Sequence, residues 1–275
     1  MSFLGFLADP LAVLIRPIYG FIQNYGLTLI VVTILIKLAT IPFTIMSQKN
    51  VAKTQLIQPE LQKLQYKYRN DKNHLNIEIQ KLYKKYEVNP LGGCLPLLVQ
   101  MFILFGFIQV VYNPLTHILQ LSGDQIKELA NIAGMGETYS EVAICNSADV
   151  ITKIGEWGKS INFNFLGIDL TSTLSANLEN WKMWIWPALA VITTFLSSFI
   201  SKKQAKKNNA GNEKAQSMSN SMMTIMPLIT AFFTYSMPIG MSLYWAVSTG
   251  VQIIQQTIIT EMINKKVKAE FKIKE

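Results

Sequence analysis

The stretch Thr33-Ile-Leu-Ile-Lys37-Leu-Ala-Thr40-Ile-Pro42-Phe43 decides how this chain is read, because it places a lysine inside an apolar run long enough to cross a bilayer. A lysine near the centre of a spanning helix costs about 2.5–3.5 kcal/mol on insertion scales. Something must offset that cost. Thr33, Lys37, Thr40 and Thr44 are spaced four, three and four apart, the spacing that lines up side chains on one helical face.

The rest of the chain fits a membrane setting. Half of the 275 residues are hydrophobic, only 15% are charged and the mean hydropathy is +0.25, which excludes an ordinary soluble domain. A spanning helix needs roughly 20 apolar residues. Five runs approach that length: 25–46, 95–112, 183–200, 222–237 and 241–263. They are continuous rather than alternating, so helices are expected and a barrel is not. The fold class expected is an all-α polytopic membrane protein.

Charge placement orients it. Lys and Arg number nine between Ser47 and Asn89, five between Ser201 and Gln216, and five after Ile263. The connection 113–182 holds four Lys against eight Asp and Glu. By the positive-inside rule the first three segments are cytoplasmic and the connection is external, with the N-terminus outside and the C-terminus inside. The basic segments suit anionic lipid headgroups better than a specific nucleic acid.

Between the runs, 47–90 is polar and helical in period. Leu56, Ile57, Leu61, Leu64 and Tyr68 repeat before the break Arg69–Asn73, and Leu75, Ile79, Leu82 and Tyr86 repeat after it. This predicts a cytoplasmic helical hairpin whose apolar stripes meet each other, the membrane surface or a client. Segment 1–24 carries Asp9-Pro10 and a second proline, Pro17, and lacks a small-residue cleavage site. It is expected to lie at the outer interface rather than span. The connection 113–182 is expected to hold a short helix near 124–132 with a turn at Gly134-Met135-Gly136. Trp181, Trp184 and Trp186 mark an outer aromatic belt. Segment 201–217 reads as a flexible linker and 264–275 as a basic tail.

Apart from Glu261 at the very end of 241–263, the runs contain no Asp, Glu or His, so Lys37 has no counter-ion in a span interior. Hydroxyl or amide partners, water, or an arriving anion remain. Gln100 stands in the second run. Thr193, Ser197 and Ser201 are four apart in the third, and Ser242, Trp245, Thr249, Gln252 and Gln256 line one face of the fifth. The blander alternative is a lysine that snorkels to the headgroups beside threonines bonded to their own helix. Two cysteines and two histidines provide no metal set, and no nucleophile–base pair, proton relay or phosphate-binding glycine loop is present; no enzyme activity, cofactor or metal is expected.

Several motifs resemble the YidC/Oxa/Alb family of membrane protein insertases. They are Tyr25-Gly26-Leu27, Lys37 in the family's arginine position, Pro42, NPLGGCLPLLVQM (Asn89–Met101), FLGIDL (Phe165–Leu170), MPLITAFFTYSMPIGMSLYW (Met226–Trp245) and Gln255-Gln256. The lack of a large extracytoplasmic domain resembles the short form found in Gram-positive bacteria, and the location implied is the plasma membrane. The resemblance implies five spans around a hydrophilic groove carrying one positive charge. Its lining would be Lys37 with Thr33, Thr40, Gln100, Ser197, Trp245 and Gln252. The partners implied are nascent membrane-protein chains, with the Sec translocon, the ribosome and anionic lipids beside them. Lys in place of Arg keeps the charge but loses the bidentate fork, and the external connection is longer than the family pattern. A small anion-selective transporter or pore is the rival reading, and a structural scaffold a third.

Overall fold

The computed structural model of the chain describes residues 5–89, 92, 95–135, 139–145, 147–208 and 213–274. Side chains of 95–97, 204–224 and 271–274 stand outside that description. In chain order the helices are α1 Gly5–Ile22, α2 Tyr25–Ala39, α3 Ile41–Leu56, α4 Gln58–Lys67, α5 Lys72–Lys85, α6 Leu95–Tyr112 and α7 Pro114–His117. They continue as α8 Gly123–Ile132, α9 Glu141–Ile144 and α10 Ala148–Glu156. A two-stranded hairpin follows, β1 Asn164–Phe165 and β2 Ile168–Asp169, and then α11 Ile185–Asn208, α12 Glu213–Ser236 and α13 Ile239–Lys274. The chain is mostly helical, as its composition demands.

Length and composition together pick out fewer spanning helices among the described residues than the five expected. Among the described residues one helical stretch, Trp181–Lys203, is long and apolar enough to cross a membrane, and a second is obtained if α2 and α3 are counted as one bent span. Leu98–Tyr112 and Ile225–Ser236 are apolar but shorter. The first expected run, 25–46, is broken at Thr40, where the chain bends by 50°. Pro42 sits in the first turn of α3, where its missing N–H costs nothing, yet its ring would clash with a carbonyl four residues back in a continuous helix. The fifth run lies in α13, which passes unbroken from Ile239 to Lys274 through both the apolar run and the basic tail. Linker 201–217 is helical on either side of 209–212, which lie outside the described residues, as do the linker's side chains beyond Lys203.

The chain divides into two compact units. The first comprises 1–37, 100–195 and 227–250. Its core joins Ala8, Leu11, Ile15 and Tyr19 of α1 to Tyr25, Leu29 and Val32 of α2, Phe107 and Val110 of α6, and Leu243 and Tyr244 of α13. Despite Pro10 and Pro17, α1 is one continuous helix. It buries one face in this core and turns Phe6, Val13 and Phe21 outward. Helix α1 crosses α6 closely at Gly106, where an added Cβ would lie 2.6 Å from the Leu7 carbonyl oxygen.

The segment 113–182 is folded. Leu115, Ile118, Leu129, Ile144, Val150 and Ile154 from α7 to α10 extend the same core, so low average hydropathy conceals well-placed apolar residues. Ser122 and Gln125 form a reciprocal capping box that starts α8 in the region where a short helix is expected. Gly134 follows with φ +70°; Gly136 lies outside the described residues. The carboxylate of Glu141 accepts from the Thr116 backbone N–H (2.9 Å) and the Thr116 hydroxyl. Its burial raises the carboxyl's pKa above the ordinary range. Cys145 is buried and its thiol is likewise pushed up by burial.

The second unit comprises 38–99, 196–226 and 251–275. Helices α4 and α5 form the hairpin. Ile57, Leu61, Leu82 and Val88 make its small core with Leu64, Ile79, Tyr83 and Tyr86 against it, so the two stripes meet each other. Tyr86 donates across the arms to Glu60 (2.6 Å). Asp71 caps α5 by accepting from His74 N. The C-terminal part of α13 belongs to this unit too. Val267 is buried, and Lys49 lies 3.4 Å from Glu270.

Candidate functional site

Lys37 is only 8% exposed, which rules out the snorkelling alternative. Its ammonium Nζ donates to Gln100 Oε1 of α6 at 2.9 Å. The Gln100 amide in turn donates through Nε2 to Tyr244 Oη of α13 at 2.8 Å, and Tyr244 is hydrogen-bonded to Ser248 one turn on. A single glutamine thus offers its carbonyl to the cation and its amino group to the phenol. That order fixes the amide's orientation, because a flipped amide would aim N–H at an ammonium.

Apolar walls close this arrangement. Thr33, Ile36, Ile103, Phe107 and Ser248 line the cleft around Lys37, Gln100 and Tyr244. Its total empty space is about 170 Å³ and is too narrow to admit a water molecule. Phe107 and Tyr244 stack with ring centroids 4.2 Å apart, which holds the phenol in place. Thr33 is buried beside the lysine, but its hydroxyl donates to its own helix at Leu29 O (2.6 Å). Gln100 thus meets the cation with a neutral amide carbonyl.

The remaining candidate residues fall elsewhere. Trp245 is half-buried and stacks on Phe233 with ring centroids 6.2 Å apart. Thr40 is the residue preceding α3. In the second unit Ser197 is buried and Gln252 is exposed. There Gln256 donates to Ser201 Oγ (3.0 Å), tying α13 to α11. Tyr244 and Ser248 were missed by the sequence reading. The signal available was their own i, i+4 spacing beside the Trp245 face. Ser242, assigned to the Trp245 stripe, is fully buried, and its hydroxyl finds no hydrogen-bond partner. Among the described residues no group of His, Cys, Asp and Glu could hold a metal ion.

A mostly helical chain with long exposed apolar faces and one amide-bound lysine among apolar helices defines a membrane-type helical protein with a cationic site. The family follows from comparison: the model of the 60Kd inner membrane protein family matches residues 17–266, and the chain belongs to that family. It is similar to the membrane protein insertase YidC of Fusobacterium nucleatum, 46% identical over 101 residues, 37% of this chain and 49% of that relative. It is 27% identical over 268 residues to the insertase of that name from Wolinella succinogenes, 98% of this chain and 39% of the relative. The corresponding Rickettsia akari protein is 31% identical over 243 residues, 88% of this chain and 36% of that protein. The aligned stretches thus span less than half of these relatives' lengths.

Proposed function

We propose that this chain is a non-enzymatic bacterial membrane protein insertase and chaperone. It would cross the plasma membrane five times, with the N-terminus outside, the C-terminus inside and the α4–α5 hairpin in the cytoplasm. Membrane residence is supported by the apolar side chains left in the open along its helices. Ile192, Phe195 and Phe199 of α11, Leu228 and Phe232 of α12, and Ile254, Ile258 and Met262 of α13 are all more than half exposed. Faces of that size are stable only against lipid or protein. Helix α1 suits the outer interface, with one side in the core and Phe6, Val13 and Phe21 outward.

The observation that carries the insertase reading is the pairing of Lys37 with a neutral amide. A carboxylate on an incoming chain is a stronger partner for an ammonium than a glutamine carbonyl, because both members are then charged. Client tails with acidic residues can therefore displace Gln100 from Lys37 and be relayed, while their apolar segments leave for lipid under their own hydrophobic gain. Gln100 would refill the site once the client leaves. Thr33 lines the cleft beside Lys37, whereas Thr40, Ser197, Trp245 and Gln252 are candidates for a wider groove on the sequence alone. Newly made membrane proteins are the substrates, with the Sec translocon, the ribosome and anionic lipids as partners.

Photo-crosslinking tests the site directly. A photoreactive residue at Gln100 or Trp245 should capture a ribosome-stalled single-span client, whereas one at exposed Thr152 of α10 should not. Equal capture at all three positions would sink the assignment.

A further inference from the structure

The hairpin carried by FLGIDL has an unexpected tip. Strands β1 and β2 pair antiparallel, with Asn164 opposite Asp169 and Phe165 opposite Ile168, so Leu166-Gly167 is a two-residue turn. Both turn residues have positive φ, +55° at Leu166 and +77° at Gly167. Turns of that form favour Asn-Gly or Gly-Gly, and a leucine in the left-handed region is strained. Leu166 is also 74% exposed, so an apolar side chain stands in the open on a backbone that resists it. Phe165 and Ile168 on either side of the turn are both buried, which sets Leu166 apart.

Polar groups around the tip are already satisfied. Gly167 N donates to Asn164 Oδ1 (3.0 Å), and Asn164 N donates to Asn162 Oδ1 (2.9 Å). The one charge nearby, Asp169, accepts from Thr171 N, Thr171 Oγ1 and Ser172 Oγ at 2.7–3.3 Å. Residues 163–168 carry no charge. A segment of this kind can enter hydrocarbon without stranding donors or ions.

Its position selects the occupant. Phe165 stacks on Trp186 at 5.6 Å and packs against Gly26, where an added Cβ would lie 2.4 Å from the Phe165 ring. The hairpin is thereby pinned to the first turns of α2 and α11. Trp181, 70% exposed, and Trp184 stand immediately before α11, whose open apolar face continues through Leu189 and Ile192. Tryptophans in that setting mark the level of the lipid headgroups.

We propose that the Leu166-Gly167 turn is a membrane-dipping tip: Leu166 enters the outer-leaflet lipid beside Trp181 and fixes the depth of the external ends of α2 and α11. This rests on the reading that α11 spans a bilayer. Spin labels in the full-length protein, reconstituted into phosphatidylglycerol–phosphatidylcholine vesicles with both native cysteines replaced, test it. Single labels at Leu166→Cys, Ile192→Cys and Thr152→Cys would be compared by collision with oxygen and with a water-soluble nickel chelate. The Leu166→Cys label should favour oxygen several-fold, as Ile192→Cys does, with Thr152→Cys favouring the chelate. A Leu166→Cys label that behaves like Thr152→Cys while Ile192→Cys stays in lipid overturns the tip and spares the spanning reading. Chelate access at Ile192→Cys would instead remove the spanning reading and the tip with it.

Discussion

Replacing Gln100 by leucine removes one acceptor of Lys37 and the donor to Tyr244 in one step, while keeping the volume of the cleft nearly unchanged. A hydrogen bond to a charged group is worth about 1.5–3 kcal/mol, and a buried charge deprived of a partner bears the upper part of that range. The Tyr244 phenol keeps its bond to Ser248 and adds little. We expect a loss of about 2–3 kcal/mol. At ~2–4 °C per kcal/mol for chains of this size, the thermal midpoint should fall by about 4–12 °C. A double-mutant cycle isolates the bond. Unfolding in detergent would be followed by tryptophan fluorescence for wild type, Gln100→Leu, Lys37→Met and the pair. Once Lys37 is gone, Gln100→Leu should cost under about 1 kcal/mol, giving a coupling of about 1–2 kcal/mol. A coupling indistinguishable from zero would refute the reasoning, because the 2.9 Å contact would then carry no energy.

Other consequences are simpler to state. Gly106→Ala should lower the thermal midpoint by several degrees, since its Cβ meets the Leu7 carbonyl at 2.6 Å and backbone cannot yield cheaply; an unchanged midpoint would place α1 elsewhere. Burial raises the Glu141 carboxyl above its unfolded value. Its contribution is therefore complete below the unfolded pKa and is lost as pH rises through the folded one. Wild type should lose stability as pH rises above the ordinary carboxylate range, and Glu141→Gln should flatten that limb; parallel pH profiles would exclude the assignment. In a Cys94→Ser background, buried Cys145 should react with a water-soluble maleimide at least tenfold slower in the native protein than after denaturation, measured by mass shift. Fast native labelling would contradict the packing of α9.

Much of the helical architecture was legible because long apolar runs and 3.6-residue periodicity are strong signals. The hairpin's two stripes, read at Leu61 and Leu82, do pack together. Gln100 could be picked out because it is one of two glutamines, with Gln109, in an otherwise apolar run, and a buried lysine must find a polar group. Tyr244 was hidden for the opposite reason. A tyrosine in an apolar stretch looks like core, and only the fold shows its hydroxyl meeting the amide of α6. The break at Thr40 was overlooked although Pro42 was in plain view, because a first-turn proline is compatible either with one kinked span or with two helices. Segment 113–182 was legible only at its short helix near 124–132, because its apolar residues are few on average and their place in the core shows only in the fold.

The central claim is that the positive charge at position 37 serves an arriving chain. Purified protein in liposomes should insert a small single-span client with an acidic external tail, scored by protease protection of that tail. Lys37→Arg should retain at least half of wild-type insertion, and Lys37→Ala and Lys37→Glu should fall to the level of empty liposomes. Full protection by the alanine variant, with protein level and fold unchanged, would contradict the account and remove the charge from the mechanism.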